Sequence, residues 1–507
     1  MPLDPVFVHG IASGDPTSTQ VILWTRITHA GDAPVDVAWT LARDETLTDV
    51  VARGMARATA DRDWTVHVDA GGLEPGHTYW YGFRALGTAS PVGRTKTLPA
   101  GTPDHLRIAM VSCAKYNGGF FNGYGRIAAR EDLDFVLHLG DYIYEAAQTP
   151  PASQTPGADI GRPFEPANEC VTLADYRTRY SQYHRDPDTM AMHRMHPLIA
   201  TLDDHELADG AWRDGSIEHR PERDGPWAER RAAAFRARWE WLPARPPDPA
   251  DRERVYRGVA FGDLVDLFLL DTRSRRDEPV SGRQMTDPGR TQLGHEQREW
   301  LLDGLDRSTA HWRILGNSSV LGQMWHDTLA GEAQRPLAVV KLIGPDGLGP
   351  DVDQWDGYPA ERATLLEHLR DRPVKDVVVL SGDVHVGLAI ELSPKPFDPD
   401  GEVVAVEFVT ASLTSQNVDD KMHWAPRTRS LPIERDLLAA LPHLRWVDLD
   451  SHGYVVVDVN RERVTGEWWF VETVLKRTDR EHLGASWTVE HGRPGLRPTQ
   501  DAVAGGG

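Results

Sequence analysis

Phe135-Val136-Leu137-His138-Leu139-Gly140-Asp141-Tyr142-Ile143-Tyr144-Glu145 is a short apolar run that breaks at a glycine into two acids and two tyrosines. Its reading decides the fold. A run of about four to eight apolar residues bounded by a turn signal reads as a buried strand, and buried strands with polar side chains at their carboxyl ends are how layered α/β enzymes build sites. The texture repeats at residues 108–111 before Ser112-Cys113, 198–202 before Asp203-Asp204, 264–270 before Asp271, 314–315 before Gly316-Asn317 and 377–380 before Ser381-Gly382-Asp383. Between these runs, Leu293, Gln297, Trp300, Leu301 and Leu305 keep helical spacing. Trp227, Ala234, Phe235, Trp239 and Leu242 form the stripe of a second helix between Pro226 and Pro243, read as core packing before it is read as a lid.

Towards the amino terminus the texture changes. Residues 7–99 alternate apolar and polar over short runs such as Gln20-Val21-Ile22-Leu23-Trp24-Thr25, the pattern of a small antiparallel β-sandwich. Leu73-Glu74-Pro75-Gly76-His77-Thr78-Tyr79-Trp80-Tyr81 resembles the tyrosine corner of fibronectin-type and immunoglobulin-like modules, so its tyrosine reads as a core corner. The breaker cluster Pro99-Ala100-Gly101-Thr102-Pro103 marks a boundary. The expected domains are thus 7–99 and 104–484, with 485–507 a patternless tail ending in three glycines. Residues 148–168 and 343–357 lack periodicity, and loops that long in a compact domain are usually functional rims or mobile segments.

Composition narrows the function. The 507 residues carry 55 Lys+Arg against 76 Asp+Glu, a net charge of -21, the wrong sign for a protein that neutralises nucleic-acid phosphates. No stretch approaches the roughly 18 apolar residues of a membrane helix. The opening MPLDPVFVHG has no signal-peptide pattern, which fits a cytoplasmic protein or an exported one whose signal is absent from this chain. Lysine stands only at 96, 115, 341, 375, 395, 421 and 476, so nearly all positive charge is arginine, and this reads as genome composition.

Chemistry concentrates at the strand ends. Asp141 and Tyr144 could set two oxygens on one metal, tyrosinate suiting ferric iron, or could be a helix cap and a core residue. Asp203-Asp204-His205-Glu206 is a hydrogen-bonded knot or a metal and acid-base site, its negative charge favouring the latter. Asp383 and His385, two apart on an expected extended segment, would face one side. Cys113 and Cys170 both read first as core residues, and His452 as a supporting or turn residue. There is no Gly-rich phosphate loop with lysine, no Gly-x-Ser-x-Gly and no His-Glu-x-x-His.

Taken together, Phe7-Val8-His9-Gly10-Ile11-Ala12-Ser13-Gly14-Asp15-Pro16, Leu23-Trp24-Thr25-Arg26, Ser112-Cys113, His138-Leu139-Gly140-Asp141-Tyr142-Ile143-Tyr144-Glu145, Asp203-Asp204-His205-Glu206, Leu270-Asp271-Thr272-Arg273, Gly382-Asp383-Val384-His385 and His452-Gly453-Tyr454 resemble, in order, the PhoD family of alkaline phosphatases and phospholipase D-like phosphodiesterases within the metallophosphoesterase superfamily. The resemblance implies a catalytic four-layer α/β/β/α sandwich behind an immunoglobulin- or fibronectin-like N-terminal domain. It implies Cys113, Asp141, Tyr144 and His385 as ligands of Fe3+, and Asp141, Asp204 and Asp383 as ligands of one or two Ca2+. It raises Cys113 from core residue to ligand, makes His205 an acid, and offers Arg273 and Asn317 for phosphate or supporting contacts. Asparagines are expected soon after the Asp-His-Glu; Asp209-Gly210 stand there instead, which puts calcium ligation near 209 in doubt.

The implied activity is metal-dependent hydrolysis of phosphate esters by attack of a metal-bound hydroxide, in a secreted or cell-envelope protein, with a cytoplasmic one as the alternative. A phospholipase D-type phosphodiesterase acting on phospholipids or glycerophosphodiesters is the alternative activity. A β-sandwich binding protein with a degenerate enzyme half is the reading from another class, disfavoured by the intact set of ligand-type residues. Substrate, rather than nucleic acid, is the expected partner.

Overall fold

The computed structural model describes residues 5–148 and 160–499. Among the described residues, two large sheets and one smaller sheet organise the chain. The largest sheet runs, strand by strand, Arg493–Pro498, Glu481–Glu490, Arg463–Val471, Gly453–Asn460, His105–Val111, Phe135–His138, Leu198–Ala200, Ile11–Gly14, Gln20–Arg26 and Thr65–Gly71. The second runs Arg257–Phe261, Val265–Leu269, Trp312–Gly316, Val377–Ser381, Ala405–Val409, Gly387–Leu392 and Leu444–Asp448. Every strand expected to carry chemistry is present, and neighbours His105–Val111, Phe135–His138 and Leu198–Ala200 are parallel, as are Val265–Leu269, Trp312–Gly316 and Val377–Ser381. Parallel pairing puts their carboxyl ends side by side.

Alternation along these strands builds separate cores. Ile108, Met110, Phe135 and Leu137 of the first sheet share one buried cluster with Leu267, Leu269, Ile314, Val378 and Leu380 of the second. The intervening residues Ala109, Val111 and Val136 pack instead with Tyr176, Tyr180 and Tyr183 of the helix Leu173–His184 and with Phe235 and Trp239 of the helix Trp227–Trp241. Phe268, Leu315, Val377 and Val379 pack with Leu301 and Leu305 of His295–Arg307 and with Leu365 and Leu369 of Pro359–Asp371. Both expected helices form, and their stripes face cores.

The N-terminal segment is built of strands apart from one 3-10 turn, Ala60–Arg62. Val21, Leu23, Val66 and Val68 share a core with Val37, Leu41, Tyr79, Tyr81 and Phe83. Tyr79 is fully buried, and its hydroxyl accepts the backbone N–H of Glu74 at 2.9 Å, a corner contact. The break in sequence at 99–103 is not a break in hydrogen bonding, because Ile11–Gly14 pairs in parallel with Leu198–Ala200 and extends the large sheet. Gly14 permits this approach: a Cβ there would lie 2.3 Å from the Pro243 carbonyl oxygen and 2.6 Å from that of Leu198.

The expected tail from 485 onward is corrected. Glu481–Glu490 and Arg493–Pro498 add two strands to the large sheet, with Ala485, Val489 and Leu496 buried in the inter-sheet core. Charged and exposed positions such as Glu490, Arg493 and Arg497 break the alternation expected of strands. Residues 500–507 lie outside the described residues, as does most of the expected loop 148–168.

Candidate active site

Four strand ends converge. After His105–Val111 comes Cys113, after Phe135–His138 come Asp141 and Tyr144, after Leu198–Ala200 come Asp203 to Glu206, and after Val377–Ser381 come Asp383 and His385. The backbone makes the turn by left-handed conformations at non-glycine residues: Cys113 at φ 58°, Asp141 at 56°, Asp383 at 69° and His385 at 61°. Such residues concentrate at functional sites, where surrounding structure holds them. The extended reading of Asp383 to His385 is therefore corrected: both reach the site, but by sharp turns rather than by strand alternation. Gly140 lets two of these turns touch, since a Cβ on it would sit 2.4 Å from the Asp203 backbone nitrogen.

Side-chain ligand atoms of Cys113, Asp141 and His385 lie within 4.8 Å of one another, as do those of Asp141, Asp204 and His205, and those of Asp203, Asp204 and Asp383. Tyr144 joins the first group: its hydroxyl donates to Asp141 Oδ2 at 2.7 Å, accepts from Ser415 Oγ at 2.5 Å and lies 3.5 Å from His385 Nε2. His385 Nδ1 meets the Gln416 carbonyl oxygen at 2.9 Å, so it carries the proton and Nε2 keeps its lone pair.

Cations fit this set. Asp203 Oδ2 and Asp204 Oδ1 are buried carboxylate oxygens that accept no hydrogen bond, an arrangement that is costly without a positive partner. Thiol, phenol, imidazole and carboxylate donors meet in one place. Burial, reinforced by Asp141, pushes the Cys113 thiol and the Tyr144 phenol well above their ordinary ranges, and burial raises Asp141 likewise. Burial followed by Lys421 lowers His385, which keeps the imidazole neutral.

Around this cluster other groups fix geometry. The two carboxylate oxygens of Glu206 accept the backbone N–H groups of Asp141 at 2.9 Å, Tyr142 at 2.6 Å and Asp203 at 2.8 Å, which ties two strand ends together. The hydrogen-bonded knot expected of the Asp203 to Glu206 run is present at Glu206. His205 Nδ1 donates to Glu145 Oε2 at 2.7 Å, while Glu145 Oε1 accepts the Asp209 N–H at 2.7 Å. Burial disfavours charge on His205, but Glu145, Asp141 and Asp204 outweigh it and raise its pKa well above the usual range.

Arg273, expected at the phosphate or in a supporting contact, is fully enclosed and ion-paired to Asp203, to Asp353 at 2.8 Å and to Asp383 at 2.6 Å. Asn317 is used within the fold, donating to Ser381 Oγ at 3.0 Å and accepting from Trp355 Nε1 at 3.1 Å. His452 lies one layer out, at 2.9 Å from Asp420 and 3.1 Å from Ser412 Oγ. Cys170 is a buried core residue whose thiol burial pushes up to about 12. Asp209 faces Lys341 at 3.0 Å. Sequence reasoning gave Glu145 no role of its own and missed Lys341, Asp353 and Gln354, the last of which donates its side-chain amide to Asp383 Oδ2. Asp353 and Gln354 come from the aperiodic segment 343–357, whose length was the available signal; Lys341 had none.

The chain is similar to known proteins over nearly its whole length. Residues 108–468 match the family model described as PhoD-like phosphatase, and residues 2–99 match that of the PhoD-like phosphatase N-terminal domain. Alkaline phosphatase D of Bacillus subtilis (strain 168) is 33% identical over 521 residues, covering 99% of this chain and 84% of that protein. The solved structure described as PhoD superposes with a TM-score of 0.85 at 30% identity, covering 99% of this chain and 94% of its own.

Proposed function

Because the chain belongs to the PhoD-like phosphatase family and is a phosphoric ester hydrolase, we propose that its four converging strand ends are a metal centre at which phosphate esters are cleaved. Cys113, Asp141, Tyr144 and His385 would hold a ferric ion, and Asp141, Asp204 and Asp383, joined by Asp203, one or two calcium ions. Bound cations would supply positive charge against the phosphoryl oxygens. The observation that carries the reading is the pair of buried, unpartnered oxygens on Asp203 and Asp204 beside the Cys113, Asp141 and His385 group.

The chain's own residues do the rest. Arg273, with no exposed surface, holds Asp203, Asp353 and Asp383 in place and is a positioning residue, the supporting one of its two expected roles. Glu145 fixes the His205 ring and keeps the proton on Nδ1, and His205 gives a proton to the leaving oxygen from its other nitrogen. Departure of an alkoxide without a proton is slow, so this donation matters most for alkyl esters. Asn317 and His452 support the loops around the centre.

We further read the two sheets with their outer helices as the four-layer sandwich of this family, with 7–99 an immunoglobulin-like unit and 104 onward the catalytic unit. Among the described residues no helix is long and apolar enough to cross a membrane. A ferric and calcium pair suits an oxidising, calcium-rich medium, which supports a secreted or cell-envelope location; fractionation of the native cells tests it. Elemental analysis combined with an ester panel tests the function: iron and calcium with ester hydrolysis support it, and hydrolysis by a metal-free protein would refute the metal centre.

A further inference from the structure

The seven lysines of the chain are not spread evenly. Three of them, Lys115, Lys341 and Lys421, come from separate segments to the rim of the candidate centre, in a chain of net charge -21. Lys115 Nζ lies 5.6 Å from the centroid of the Tyr144 ring. Lys341 Nζ lies 3.0 Å from Asp209, 3.5 Å from Asp353 and 3.7 Å from Asp204. Lys421 Nζ donates to the carbonyl oxygen of Val339, two residues before Lys341.

Asp209 is an electrostatic neighbour of all three ammonium groups, and all three act on His385. Asp353 is already paired with Arg273 and Arg276, and Glu145 with His205. Among the described residues neither Lys115 nor Lys421 has a carboxylate within ion-pair distance; Glu145, Asp209 and Asp141 act on Lys115 from farther away, and Asp209 and Asp383 on Lys421. Burial, followed by repulsion from Lys341 and Lys115, lowers Lys421 to about 8. The carboxylates of the centre are enclosed, whereas the three lysines, Asp209, His205 and His385 are all partly exposed. Anything that approaches the centre past these groups meets two ammonium groups, those of Lys115 and Lys421, that have no ion-paired carboxylate among the described residues.

We infer that Lys115, Lys341 and Lys421 form a subsite for a second anionic group on the organic part of the ester, so that the preferred substrates carry a carboxylate or phosphate besides the scissile one. The inference rests on the hydrolase reading and adds a substrate class to it. An anion there gains two otherwise unpaired ammonium groups, and the gain falls as salt screens exposed charge.

The test compares 3-phosphoglycerate with glycerol 3-phosphate, which differ by a carboxylate in place of a hydroxymethyl group. Each is used as a competing ligand against whichever of 4-nitrophenyl phosphate and bis(4-nitrophenyl) phosphate the holoenzyme turns over faster. 3-Phosphoglycerate should compete more tightly by about fivefold or more, the scale of one partly exposed ion pair, and the ratio should shrink at high salt. Lys115→Met and Lys421→Met should each move the ratio towards one, and Lys421→Arg should retain it. A ratio of one in the unmodified enzyme, a ratio indifferent to salt, or a ratio untouched by both methionine variants would overturn the subsite. The salt arm needs no substitution, so a variant that fails to fold leaves the test intact. Failure to cleave either aryl ester would instead overturn the hydrolase reading and this one with it.

Discussion

Glu145 and His205 form the smallest unit whose geometry implies chemistry: a 2.7 Å bond to Nδ1 orients the ring and assigns its proton. A positioned acid typically contributes about 100- to 10,000-fold. His205→Ala should therefore lose far more kcat/KM on alkyl esters than on aryl esters, whose phenolate leaves unaided, and Glu145→Gln should show the same bias more weakly. The measurement is the dependence of kcat/KM on leaving-group pKa; a slope no steeper than that of the unmodified enzyme would remove the acid role. At Arg273 the issue is stability. Removing one partner of a buried ion pair costs about 3–5 kcal/mol, and Arg273→Leu would strand Asp203, Asp353 and Asp383. Urea unfolding should register a loss on that scale, whereas a change below about 1 kcal/mol would mean that the carboxylates do not depend on the guanidinium.

At the scale of the element, the site is a set of turns after parallel strands, and the strands were the legible part. Runs such as 135–138 and 377–380 are apolar, short and end at glycine, so their place and the polar groups after them could be read directly. The conformation of the turns could not: nothing in Asp383-Val384-His385 marks two left-handed residues, because tertiary contacts impose them. The last two strands, Glu481–Glu490 and Arg493–Pro498, were illegible for the opposite reason, since solvent-facing charges break the pattern of a half-buried strand. Gly140 tests the turns. With φ 108° and the Asp203 backbone in the space of a Cβ, Gly140→Ala must displace Asp141 from Asp203. Bound metal and activity should fall together while the circular dichroism spectrum persists; a variant with full metal content would show that the two strand ends need not touch.

For the whole molecule, acidity and the site belong together, because carboxylates concentrated at the strand ends need cations to balance them. The family resemblance located the ligand-type residues 113, 141, 144, 204, 383 and 385, which the fold brings to one place. It named Arg273 without its carboxylate partners and did not reveal the counter-charges Arg276 and Lys341, which act across long sequence separations and follow no local spacing. Nor did composition reveal that three rare lysines share one rim. Joining of the N-terminal strands to the large sheet was equally hidden, since the pairing of Gly14 with Leu198 spans the chain.

The most direct test of the metal centre is elemental analysis of the purified protein, with ester hydrolysis measured before chelation, after it, and after calcium is returned. The expected result is a visibly coloured protein that contains iron and calcium, loses activity on chelation while keeping its fold, and regains activity with calcium. A colourless protein, free of both metals and fully active, would contradict it.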